Sequence, residues 1–243
     1  MLIVAIFAAG CGGSTSKSPA AAPPAVDPAT AASLTGQIAL DGTPPPPEVI
    51  RMEGDPKCVA AAQDEERRSE YVVSKDGKSL QNVFVYIKEG LPQRLYPVPN
   101  EPVVLDQQKC RYVPHVLGVQ VGQALEVRNS DPLLHNVHAE GAVNRAFDVG
   151  QPLPGIKTTH TFTTREVMIP VKCQVHSWMH GYIGVLEHPF FAVSDANGHF
   201  AIPQLPPGTY TVEAWHERLG TQTQQIIVAP KEAKTLNFTF KVS

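Results

Sequence analysis

Apolar residues recur at every second position over short runs of this chain, and turn-forming residues close each run. In Leu125, Glu126, Val127 and Arg128, apolar and charged side chains alternate. That is the pattern of a strand with one buried and one wet face. Val167, Ile169, Val171 and Cys173 share one parity, which predicts a strand that turns the cysteine inward with three core residues. Met179, Ile183 and Val185 share a parity on the segment that follows. Further strands are predicted at 35–40, 71–73, 83–87, 103–106, 116–121, 190–194, 199–202, 210–215, 224–228 and 236–242. Asp41-Gly42, the prolines at 44–47, Lys75-Asp76-Gly77-Lys78, Asp195-Ala196-Asn197-Gly198 and Pro206-Pro207-Gly208 punctuate them. Helical periodicity is confined to a short element opened by Asp55-Pro56 and predicted to run to Arg68, with aspartate as N-cap and proline at the first position. The fold class is therefore all-β.

The 243 residues suffice for one or two domains. With 20 basic and 23 acidic residues, the formal charge is −3 and no basic run exists, so a nucleic-acid partner has no electrostatic support. Residues 1–10 are apolar and uncharged, and end in Ala8-Ala9-Gly10-Cys11. This reads as a secretory signal over 1–11. The small residues before Cys11 resemble a bacterial lipobox, which implies a lipid anchor on Cys11 and a periplasmic or cell-envelope location. A plain secretory signal with an incidental cysteine is the alternative. Residues 12–33, rich in Ala, Pro, Ser and Gly, read as a disordered tether with a span on the order of 25 Å.

The chemistry concentrates in Cys173-Gln174-Val175-His176-Ser177-Trp178-Met179, where a thiol, an imidazole and a thioether fall within seven residues. A second imidazole, His135, stands in Asp131-Pro132-Leu133-Leu134-His135-Asn136-Val137-His138. Two His and one Cys with a weak axial Met is the ligand set of blue-copper electron-transfer sites. Structural zinc sites use four Cys or His ligands and need no thioether. His115, His138 and His180 are rival ligands. Cys58 and Cys110 remain, either bridged, as exported proteins permit, or as two buried thiols.

At these residues the segment 102–187 resembles a cupredoxin. The C-x-x-H-x-x-M spacing is similar to the short ligand loop of amicyanin, more than to the longer loop of plastocyanin. The resemblance implies a Greek-key sandwich holding one mononuclear type 1 copper ion on His135, Cys173, His176 and Met179. It also implies that Asn136 ties the two ligand-bearing segments together. The exposed edge of His176, ringed by apolar surface including Trp178, would be the electron port.

Residues 188–243 resemble a carboxypeptidase regulatory-like, transthyretin-like module, through Val193-Ser194-Asp195-x-x-Gly198-x-Phe200-x-Ile202 and Leu205-Pro206-Pro207-Gly208-x-Tyr210-x-Val212. Its missing first strands are expected in 34–90, which makes this second sandwich discontinuous. The alternative is that 34–90 extends the cupredoxin sheet. No metal is expected at His188, His199 or His216. Taken together, the expected function is that of an exported, non-enzymatic electron carrier between redox proteins. Copper storage or delivery, and a metal-free binding module, are the alternatives.

Overall fold

The structure is a computed structural model that describes residues 26–242, apart from 47, 53, 63–67, 70–73 and 75. The signal, Cys11, most of the tether and the predicted strand at 71–73 lie outside the described residues. Short strands dominate, and the one helix among the described residues, Pro56–Ala61, has six residues. Asp55 caps it as expected, accepting from the backbone N–H groups of Lys57 and Cys58. The helix stops at Ala62, where the backbone turns extended, short of the predicted Arg68.

One sandwich faces a five-stranded sheet with a four-stranded one. The first sheet runs Phe147–Gln151, His135–Ala139, Glu166–Lys172, His180–Leu186, Val116–Gln120. The second runs Lys157–Thr161, Ala124–Asn129, Val103–Gln108, Arg111–Val113. Leu105, Leu125, Val127, Val137, Ile169, Val171, Cys173 and Ile183 fill the space between them. Met52, Cys58 and Ala62, around the helix, belong to the same core.

The second sandwich is built from both ends of the chain. Ala32–Asp41 pairs antiparallel with His199–Leu205 and parallel with Ala233–Thr235 and Phe238–Lys241. In the opposing sheet, Phe84–Glu89 lies between Phe191–Val193 and Gly208–His216, and Gly220–Val228 forms the edge.

Phe84–Glu89 shows why no alternation is visible there: its first four residues are all buried. Val85 and Ile87 enter the core of the second sandwich, while Phe84 and Tyr86 join Val116, Met168 and Leu186 in a third cluster between the two sandwiches. A strand covered on both faces reads as a continuous apolar run. The fit requires glycines. A Cβ on Gly118 would lie 2.3 Å from the Phe191 ring, and one on Gly184 would lie 2.5 Å from Phe84.

The predicted parity of 167–173 holds only from Ile169 onward. Met168 has φ 61°, and the register shifts between Glu166 and Ile169. This bulge sends both Val167 and Met168 to the cluster between the sandwiches.

Candidate metal centre

His135 opens the strand His135–Ala139 and is fully buried. Cys173 follows Glu166–Lys172 directly, on its inward parity. The loop after it is closed by two backbone bonds, from Met179 N–H to the His176 carbonyl and from Cys173 N–H to the Met179 carbonyl. The turn brings His176 over the thiol and carries Met179, 1% exposed, into the core that holds Cys173.

Three donors converge. The Nδ1 atoms of His135 and His176 are 2.9 Å apart, and Cys173 Sγ is 3.8 Å from His176 Nδ1. The outer nitrogens face carboxylates: His135 Nε2 is 2.9 Å from Asp131 Oδ2, and His176 Nε2 is 3.2 Å from Asp55 Oδ2. Ionised carboxylates only accept hydrogen bonds. Each Nε2 therefore carries a hydrogen, and in a neutral ring each Nδ1 presents a lone pair to the other and to the sulfur. This is the carboxylate–histidine arrangement that orients metal-binding imidazoles.

The charges agree with that assignment. Burial opposes ionisation of Asp131, but hydrogen bonds from His135 and from the N–H groups of Cys110 and Lys109 lower its pKa. Asp55 is lowered in the same way: burial opposes its charge, but hydrogen bonds from His176 and from the N–H groups of Cys58 and Lys57 together outweigh it. Burial would raise the Cys173 thiol, yet bonds from His135, His176 and the backbone hold it at about 5, a thiolate at neutral pH. His135 is raised because Asp131 and Cys173 outweigh its burial.

The donor set fits a soft-to-borderline ion. Bond lengths of about 2.0 Å to imidazole and about 2.3 Å to thiolate, at an angle near 120°, require a sulfur–nitrogen separation of about 3.8 Å, as found for Cys173 and His176. The two Nδ1 atoms would part by roughly half an ångström to reach the same angle. Met179 adds a buried thioether on the same loop.

Around this cluster the structure places the other candidate ligands and cysteines singled out above, Cys11 excepted. Asn136 Oδ1 accepts from Gln174 N–H at 2.6 Å, and its amide nitrogen donates to Asp148 at 2.7 Å, so it joins the two ligand-bearing segments. Cys58 and Cys110 are disulfide-bonded, with Cα atoms 5.7 Å apart, and cannot serve as thiolate ligands. His138 lies apart on the opposite face of its strand, beside Glu140 and Asp148. His115 and His180 meet elsewhere. The expectation of an exposed His176 edge is overturned. His176 is 3% exposed, because Asp55 and the Cys58–Cys110 bridge, 3.7 Å from its Nε2, cover that edge. Trp178 packs against His176 with tilted rings, centroids 5.0 Å apart, and donates its indole N–H to the Cys110 carbonyl.

Residues 187–241 match the carboxypeptidase regulatory-like domain. No curated protein matches the chain by sequence. Similar solved structures include an amicyanin mutant in the Cu(I) form, 24% identical over 42% of this chain and 97% of that one, at TM-score 0.31. A purple cupredoxin from Nitrosopumilus maritimus is 21% identical over 34% and 98%, at 0.29. The copper-containing nitrite reductase of Thermus scotoductus SA-01 is 21% identical over 40% of this chain, at 0.31, and only 25% of its own length is spanned. All three likenesses are partial. The regulatory-like domain contributes none of His135, Cys173, His176 and Met179.

Asp131 and Asp55 had no assigned role at the site in the sequence. Asp131 stands four residues before His135, which is a usable signal. Its carboxylate also accepts from Lys109 and Cys110 N–H at 2.7 and 2.8 Å, where both residues have positive φ. It thus fixes the turn that bears one half of the disulfide. Asp55 was legible as a helix cap, but its reach to His176 depends on the tertiary fold.

Proposed function

We propose that this protein binds one copper ion through His135, Cys173 and His176, with Met179 as a weak fourth ligand, and serves as a one-electron carrier outside the cytoplasm. The observation that carries this reading is the convergence of two imidazole Nδ1 atoms and a thiolate, with both outer ring nitrogens held by carboxylates. Copper held there supplies one reversible electron, because the mixed sulfur and nitrogen set tolerates both oxidation states. The chain's own part is to keep the donors fixed. Asp131 and Asp55 set the ring orientation, Asn136 locks strand to loop, and the buried surroundings exclude water from the thiolate.

The closed His176 edge favours retention of the ion over delivery to a recipient. The Cys58–Cys110 bridge suits an oxidising compartment. With the Ala8-Ala9-Gly10-Cys11 pattern, it supports a periplasmic or envelope location and a lipid anchor on Cys11. The partners are redox proteins.

The test is to load the purified protein with Cu(II) and record its optical and EPR spectra. An intense visible band from Cys173-to-copper charge transfer is expected, lost in Cys173→Ser and reversible through repeated reduction. A stably bound copper without that band would overturn the reading. So would release of the ion on reduction.

A further inference from the structure

A second cluster of metal-ligand type lies where the two sandwiches meet. His115 precedes Val116–Gln120, His180 begins His180–Leu186, and Glu217 follows Gly208–His216. Their ligand atoms lie within 4.8 Å of one another. His115 Nε2 is 2.6 Å from Glu217 Oε1, and His180 Nε2 is 3.5 Å from Glu217 Oε2. The two rings are nearly perpendicular, with centroids 5.0 Å apart.

The other ring nitrogens decide the chemistry. His115 Nδ1 is 3.1 Å from the His180 carbonyl, and His180 Nδ1 is 3.0 Å from the Trp178 carbonyl. Carbonyl oxygens only accept hydrogen bonds, so both Nδ1 atoms carry the hydrogen. In the neutral rings both Nε2 lone pairs then face a carboxylate. Glu217 is 4% exposed at its side chain. Burial works against its charge, but the two imidazoles outweigh it and hold its pKa at about 2. Three acceptors aimed at one place need a cation between them. Protons can fill that role, and so can a metal ion.

We propose that His115 Nε2, His180 Nε2 and the Glu217 carboxylate form a second metal site, for a divalent first-row ion of zinc type. Two imidazoles and a carboxylate are a harder set than the thiolate centre, and imidazoles held by backbone carbonyls are typical of metal-binding histidines. Both rings are about one-quarter exposed at the side chain, while His180 Nε2 itself is buried. Two ligands come from the five-stranded sheet side and one from the regulatory-like domain, so the ion would clamp the sandwiches together. The His115–Glu217 separation is shorter than ligands sharing one ion require, by about 0.7 Å. Metal entry would therefore part the two side chains by about that amount.

The test uses the copper-loaded, reduced protein. Zinc is added, excess is removed by gel filtration, and bound metal is counted. One zinc per chain is expected beyond the copper, with a raised Tm reversed by chelator. Glu217→Gln and His115→Gln should each lose that zinc and keep the visible band on reoxidation. The band reports the thiolate centre and the zinc count reports this one, so each assignment can fail alone. On the unsubstituted protein, nitrogen NMR should show the Nε2 signals of His115 and His180 shifting with zinc while their Nδ1 atoms stay protonated. No zinc uptake would mean an ion pair only and would overturn the proposal. Uptake equal in the variants, or unmoved Nε2 signals, would do the same.

Discussion

Replacing Cys58 and Cys110 together with serine tests how the lid over His176 is held. The bridge closes a loop with a sequence separation of 52. Loop-closure entropy for that length is about 14 cal/mol/K, or about 4 kcal/mol at 25 °C. For a chain of this size the loss corresponds to a fall in Tm of roughly 8 to 16 °C, read by circular dichroism or calorimetry. A second effect should accompany it. A six-residue helix has no stability of its own, and Asp55 reaches His176 only from the cap of Pro56–Ala61. Without the bridge, the carboxylate and helix should leave the ring edge open. Copper should then transfer to a chelator at least about tenfold faster, the equivalent of about 1.4 kcal/mol. A Tm within about 3 °C of the parent and unchanged copper release would refute the reasoning. Packing of Met52 and Ala62 in the core would then be what holds the lid.

Asp55→Asn removes a negative charge 3.2 Å from the His176 ring; it should favour the reduced ion and raise the potential by tens of millivolts, measured by voltammetry, and a fall would contradict the charge argument. His188 and His216 are buried, and desolvation lowers both to about 4 from 6.5. The unfolded chain therefore binds more protons between those values, so stability is fully present above pH 6.5 and lost as pH falls towards 4, by up to about 3 kcal/mol per histidine. A flat Tm across that window would refute this, and His216→Gln should reduce the slope. Gly184→Ala drives a methyl into Phe84 and Met168 and should cost about 1–3 kcal/mol, with faster proteolysis between the sandwiches; unchanged melting and digestion would show that the rings can shift.

Much of the site was legible because its donors sit on short, regular segments. The parity of Ile169, Val171 and Cys173 turned the thiol inward, and one tight loop supplied His176 and Met179. The all-β class followed from the same two-residue period. The parts that could not be read depend on contacts between distant segments. His176 looked exposed because nothing local announces that a helix stapled to Cys110 lies on it. Phe147–Gln151 and Lys157–Thr161 carry few large apolar residues, so no alternation announced them. Glu217 is 102 positions from His115, and no spacing rule links such residues. His115 and His180 were visible only as rivals for the copper ligands.

The first strand of the second sandwich leaves the ribosome long before anything it pairs with exists. Ala32–Asp41 finds its partners in His199–Leu205, Ala233–Thr235 and Phe238–Lys241, so that Asp41 lies opposite Lys241. Such distant pairing slows folding, because the chain must close a long loop before any contact rewards it. Until Phe238–Lys241 is made, an apolar strand with an open edge lacks its full cover. A prematurely terminated copy would retain the thiolate centre's strands but expose Leu34, Ile38 and Leu40 permanently. It would be marked for aggregation or degradation by a strand far in sequence from the break.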